Sequence, residues 1–156
     1  MTILSPMTTI EFEQYMLTSI PDYANDKVKS GEWSETEAIE RSSQEFNKAL
    51  PDGVNTTDNF LFTLIDELQN QSVGILWYAI ASRAGNKAAY IYDISINSDH
   101  QRKGHATRAI QALEEKLKDS GITGIGLNVF GFNKKAYELY VKQGFQPTST
   151  KMFKPF

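Results

Sequence analysis

Residues 93–107 read Asp-Ile-Ser-Ile-Asn-Ser-Asp-His-Gln-Arg-Lys-Gly-His-Ala-Thr, an alternating apolar segment that runs through a basic turn into a helical pattern. A helix start presents backbone amides without intrahelical acceptors and the positive end of a dipole, so the ligand it favours is an anion. Gly104 and the small Ala106 let such a ligand approach the main chain, while Arg102 and Lys103 put positive charge at its rim. That is the chemistry of a pyrophosphate site. A glycine in a strand-to-helix turn also has a purely structural reading, so the surrounding elements have to decide.

A helix over about Lys103–Asp119 follows the turn, with Ala106, Ala109, Ile110, Leu113 and Leu117 as its apolar stripe and Arg108, Gln111, Glu114, Glu115 and Lys118 facing solvent. Gly121 serves as its left-handed cap. Upstream, FLFTLIDE, SVGILWYAIA and AAYIYDISIN are rich in aromatic and β-branched residues and are separated by turn-forming stretches, which predicts an antiparallel meander of three strands. Before it come a short strand at Ile3 and Leu4 and a helix over residues 9–29 that Pro21 is expected to kink or divide. A second helix opens on Ser34 and Glu37 as a capping box, with Ile39, Ser42, Phe46, Ala49 and Leu50 facing inward. Downstream, ITGIGLNVF reads as a strand, FNKKAYELYVKQ as a short helix capped by Gly144, and FQPTSTKMF as a last strand. The order βααβββαβαβ is that of an α/β fold, and no linker, repeat or low-complexity tract divides residues 1–156, so one domain is expected.

The chain of 156 residues has no cysteine and two histidines, His100 and His105, which leaves no disulfide framework, no thiol nucleophile and no ordinary zinc site. No metal is expected. Neither a signal peptide nor an apolar run near the ~18 residues of a membrane span is present, so no membrane partner is expected and the cytoplasm is the expected location. Charge is divided along the chain: residues 1–70 hold 13 acidic against 4 basic side chains, and residues 71–156 hold 6 against 12. Such a field steers an anion to the C-terminal part and a cation to the N-terminal part, although solvated helix faces account for the same charges. The overall charge of −3 argues against nucleic acid as a partner.

The turn and its flanks resemble the acetyl-CoA segment of the GNAT N-acetyltransferases, whose core is Q/R-x-x-G-x-G/A after a strand; Gln101, Gly104 and Ala106 fill the fixed positions. The stretch NVFGFNKKAYELYVKQGF is similar to the family's second cofactor segment, with Asn133, Leu139, Tyr140, Gly144 and Phe145 matching. The resemblance implies a single GNAT-like α/β domain: a central mixed, mostly antiparallel sheet, splayed at the acetyl-CoA site and flanked by about four helices. It implies acetyl-CoA as co-substrate, with main-chain bonds from Ile94, Ser95 and Ile96 to the pantetheine arm. The amides of Arg102, Lys103, Gly104, His105, Ala106 and Thr107 would cradle the pyrophosphate beside Gln101, and Asn133 would bond the pantetheine or phosphate region. Asn133 as a helix N-cap and the two isoleucines as core residues are the structural alternatives.

By the same resemblance Tyr140 stands where an acid protonates the departing thiolate, and the amide of Ile94 would receive the oxyanion. Asn128 departs from the pattern, because many relatives carry a glutamate base there. The carboxylates left for that role are Asp93 and the pair Asp66 and Glu67, and the choice stays open. His100 and His105 are read as turn residues. Tyr15, Tyr23, Trp33, Glu11, Glu13 and Asp26 are candidates to line a site for a small-molecule or protein amine, and their acidity suggests a cation. Phe153 and Phe156 would support a homodimer. The competing reading is an acyl-CoA-binding sensor without catalysis, motivated by Asn128.

Overall fold

The computed structural model describes residues 1–156. Its elements are β1 (Thr2–Pro6), α1 (Thr9–Lys29), α2 (Glu35–Ala49), β2 (Asn59–Asp66), β3 (Gln71–Arg83), β4 (Asn86–Ile96), α3 (His105–Leu117), β5 (Ile125–Leu127) and α4 (Lys134–Lys142). The strands form one sheet in the order β1-β2-β3-β4-β5, antiparallel as far as β4 and parallel between β4 and β5. It is a single α/β domain with a mixed, mostly antiparallel sheet. No helix is long and apolar enough to cross a membrane.

One face of the sheet buries Phe62, Leu64, Leu76, Tyr78, Ala89 and Ile91 against Ala109, Ile110, Leu113 and Leu117 of α3, the stripe expected from the sequence except that Ala106 is only half-buried. The opposite face packs Leu61 and Trp77 against Tyr15 of α1 and Phe46 of α2. Two irregularities decide how residues are dealt to these faces. In β4, Trp77 pairs with Asp93 and Tyr78 with Ile91, so Tyr92 is an extra residue, a β-bulge; in β3, Val73 is a second one. Because of the first, Ile91, Ile94 and Ile96 all pack on the α3 side, while Tyr92 and Asp93 both belong to the α1 side.

Four expectations are corrected. Pro21 does not divide α1, which is continuous through it, because Tyr15 and Ala24 are buried on either side and tertiary packing outweighs the lost amide. Ser34 caps α2 without a capping box: its hydroxyl meets Thr36 Oγ1 at 3.1 Å and Glu37 pairs with Arg41 instead. The reciprocal box is at Thr8 and Glu11, a T-x-x-E pattern that opens α1. On α2 it is Ala38 that is buried, with Ser42 and Phe46, and Ile39 is 56% exposed; Ser42 Oγ donates to the Ile20 carbonyl at 2.7 Å and so sets the helix rotation. The last strand does not form: residues 145–156 have no regular structure, Pro147 lacks an amide proton, and β5 offers an edge of only three residues.

This packing predicts that Leu113→Ala lowers unfolding free energy by about 3 kcal/mol, whereas Ile39→Ala changes it by less than about 0.5 kcal/mol. Urea denaturation of the two variants checks both, and a large loss at Ile39 would show that the sequence-based face was right after all.

Candidate active site

Pairing between β4 and β5 stops at Ile91 and Leu127, whereas β4 runs on to Ile96 against β3 alone. The strand edge beyond Ile91 is therefore open on the β5 side. The Asn97 amide donates to the Val73 carbonyl of β3 at 2.8 Å, and since peptide groups alternate along a strand, Ser95 faces β3 as well. Ile94 and Ile96 turn their peptide groups into the gap, while their side chains pack in the core. Ser95, expected to contribute a main-chain bond there, is directed the other way; its carbonyl lies against Gly74. Gln101 Nε2 donates to the Ile96 carbonyl at 3.0 Å and ties the strand end to the turn.

The turn itself has the form an anion requires. Arg102 and Gly104 take left-handed conformations, with φ of 61° and 81°. None of the backbone amides of residues 102–107 donates to a protein acceptor, so six consecutive donors stand free at the start of α3. Arg102 and Lys103 are exposed beside them, as expected, and His105 is not a turn residue but is buried, with its basicity lowered by burial and by the nearby Arg108. From the turn a cleft of about 680 Å³ continues between α3 and α4, lined in part by Thr107, Gln111, Lys135, Leu139 and Gln143. Gln143 Nε2 donates to Thr107 Oγ1 at 3.3 Å, and its Oε1 is buried without a partner. Gln143 was missed by sequence reasoning because it is one polar residue before a helix cap. Asn133 caps α4, accepting from Ala136 at 3.4 Å, and its side-chain amide group remains free.

Asp93 lies on the other side of the open edge. Tyr15 Oη donates to its Oδ2 at 2.7 Å. Burial pushes the Asp93 carboxyl up to about 6; the Tyr15 hydrogen bond acts against this, and the charges of Asp22 and Asp26 add to it. Tyr15, Ser19, Asp22 and Asp26 recur at helical spacing on one side of α1. Tyr140 is raised by burial and by the charge of Asp93, so the two residues share one environment, and its ring meets Phe145 edge-on at 5.7 Å. Asp66 and Glu67 are not brought there: Asp66 Oδ1 accepts from the Leu68 amide, and its Oδ2 is 3.9 Å from His105 Nε2, near the turn.

Of the proposed amine-lining residues, Tyr15 and Asp26 belong to the Asp93 environment and Glu11 and Trp33 do not. Glu11 is held by Thr8 and by Thr63 Oγ1 at 2.7 Å, and Trp33 packs with Ala24 and Ala38. Glu13 is exposed. Lys27 lies over the rings of Tyr23, Trp33 and Phe130, which pins the segment after β5 against α1.

The Acetyltransferase (GNAT) family profile matches residues 23–145. YycN, an uncharacterized N-acetyltransferase of Bacillus subtilis (strain 168), is 36% identical over 153 residues, 97% of each chain. YdgE, an uncharacterized N-acetyltransferase of the same organism, is 31% identical over 151 residues, covering 97% of this chain and 96% of its own. The crystal structure of YycN superposes with a TM-score of 0.94 at 34% identity, covering 100% of this chain and 99% of that one.

The Asp93 geometry has a consequence for stability. A carboxyl raised from 3.8 to about 6 by folding is favoured in its neutral form, so its contribution is complete below pH 3.8 and is lost as pH rises through about 6. Asp93→Asn is expected to melt with the wild type near pH 4 and above it near pH 8, measured by scanning calorimetry; an asparagine variant that melts lower near pH 8 would refute the raised, half-buried carboxyl.

Proposed function

The chain belongs to the GNAT acetyltransferase family, and on that premise we propose that it transfers the acetyl group of acetyl-CoA to a primary amine by direct attack in a ternary complex. The observation that carries the reading is the open edge of β4, with free amides at residues 102–107 at one end and Asp93 and Tyr140 at the other. These groups fit the co-substrate by their chemistry: a row of donors for pyrophosphate, and outward peptide groups at Ile94 and Ile96 for the amide-bearing arm. Asn133 and the cleft with Thr107 and Gln143 extend the same surface. Acetyl-CoA supplies an activated thioester and a thiol leaving group.

Only a neutral amine attacks a thioester. Asp93, with its carboxyl at about 6, is charged near neutral pH yet basic enough to take a proton from an ammonium, directly or through water. Tyr15 keeps Oδ2 in place and leaves Oδ1 for that exchange. The amide of Ile94 meets the negative charge that develops on the carbonyl oxygen. Tyr140, which stays protonated because burial and Asp93 hold its proton, donates to the departing sulfur as the C–S bond breaks, and the proton shed by the newly acylated nitrogen restores the phenol. Asp22 and Asp26 near Asp93 favour an acceptor that arrives as a cation, whether a small molecule or a protein side chain.

The test is release of free coenzyme A, followed with a thiol reagent, from acetyl-CoA and a panel of primary amines. For an accepted amine, kcat/KM is expected to rise with pH through about 6 as Asp93 loses its proton. Asp93→Asn should lower kcat by ~100-fold and remove that limb, and Tyr140→Phe should lower kcat with little change in KM. Tight binding of acetyl-CoA without turnover on any amine would replace this reading with that of a sensor.

A further inference from the structure

Arg108 has no place in the mechanism so far, and its position in the helical pattern assigns it to solvent. Its guanidinium instead folds back under the start of α3. Nη2 donates to the Lys103 carbonyl at 2.8 Å and stands 3.2 Å from His105 Nδ1; Nε donates to Thr2 Oγ1 at 3.2 Å. The anchor behind it is buried: Thr2 is 2% and His105 4% exposed, Thr2 Oγ1 and His105 Nδ1 are 2.9 Å apart, and Asp66 stands on the other side of the imidazole. Nη1 has no protein partner and lies over Gly104, where a Cβ would come within 2.6 Å of it.

We propose that Arg108 is the positioning residue of the cofactor turn, holding the Lys103 carbonyl inward so that the amide of the same peptide, that of Gly104, points outward to a pyrophosphate. Within one peptide plane the carbonyl and the amide are antiparallel, so fixing the first aims the second. Lys103 stands between two left-handed residues, one of which, Arg102, carries a side chain and adopts that conformation only where its neighbours impose it. The clamp on the Lys103 carbonyl imposes it here. Gly104 is then required twice, for its φ of 81° and because any side chain would displace the guanidinium. The anchoring of Arg108 also gives the turn a fixed positive charge, where the exposed Arg102 and Lys103 are free to move. Through Thr2 the first strand becomes part of the cofactor site.

This inference rests on acetyl-CoA as the co-substrate. Isothermal titration of the full chain with coenzyme A tests it in Arg108→Ala, Arg108→Lys and Thr2→Val, each checked for folding by circular dichroism. The dissociation constant is expected to rise about tenfold in Arg108→Ala and by a smaller factor in Thr2→Val, with Arg108→Lys between wild type and alanine. KM for acetyl-CoA should rise while kcat at saturation holds. Turnover of S-acetylpantetheine, which lacks the pyrophosphate, should be unchanged. Unchanged coenzyme A affinity in all three variants, or equal losses with both thioesters, would overturn the positioning role. A wild type that does not bind coenzyme A at all would overturn the proposed function, and this inference with it.

Discussion

The extra residue at Tyr92 is the constraint on which the site depends. A regular strand would continue the alternation from Ile91 and deliver Asp93 to the hydrophobic face beneath α3, with Ile94 pointing outward. The bulge advances the alternation by one residue, so the carboxyl passes to the α1 side, where Tyr15 meets it, and Ile94 and Ile96 return to the core. Tyr92, left over on the α1 side, stacks on Trp77 with ring centroids 4.8 Å apart, which holds the irregular stretch in place. The same segment thus anchors the sheet through its side chains and exposes main-chain groups beyond the end of β5.

Charge follows from this arrangement. The acidic N-terminal part and the basic C-terminal part of the chain become two ends of one open strand edge, Asp22 and Asp26 near Asp93 and Arg102, Lys103 and Arg108 around the turn. Asp93 is held by opposing influences. Burial and its acidic neighbours favour the neutral carboxyl, and the Tyr15 hydroxyl favours the carboxylate, with a balance at about 6. Burial, and after it the like charge of Asp22 on α1, also raise Asp26, with Lys29 acting against them, so the acidic side of α1 shares the bias toward the neutral carboxyl that Asp93 shows.

Much of this was legible because it is local. The glycine turn, the α3 stripe, the Asn133 cap and the three meander strands are each encoded within a few residues, as periodicity or as a cap. The bulge also leaves a local trace, for the step from Ile91 to Ile94 breaks the two-residue period that an ordinary strand would keep. What escaped joins distant parts of the chain. Tyr15 and Asp93 are 78 residues apart, and Arg108 and Thr2 are 106 apart; no pattern along the sequence announces either bond. The face of α2 was misjudged for a related reason: Ile39 is the more apolar choice, but the bond from Ser42 to the Ile20 carbonyl settles the rotation in favour of Ala38. The expected last strand failed on its missing partner, since an alternating segment forms a strand only beside an edge long enough to pair with.

Asn128 and Asp93 belong to the two segments that part at the gap. The two residues stand on opposite lips of the same gap, Asn128 just past the end of β5 and Asp93 on β4. Proton removal needs a carboxylate within reach of the ammonium; it does not need that carboxylate to come from a particular strand. A base on β4 carries its own demands, because a carboxyl in the strand must leave the core face and must be prevented from folding back on the main chain. The bulge at Tyr92 meets the first demand and the Tyr15 hydroxyl the second. An amide at Asn128 is then no defect in the proposed mechanism, since a second carboxylate on the facing lip would act on the Asp93 carboxyl in the same upward direction as Asp22 and Asp26, whereas a base must be charged to work.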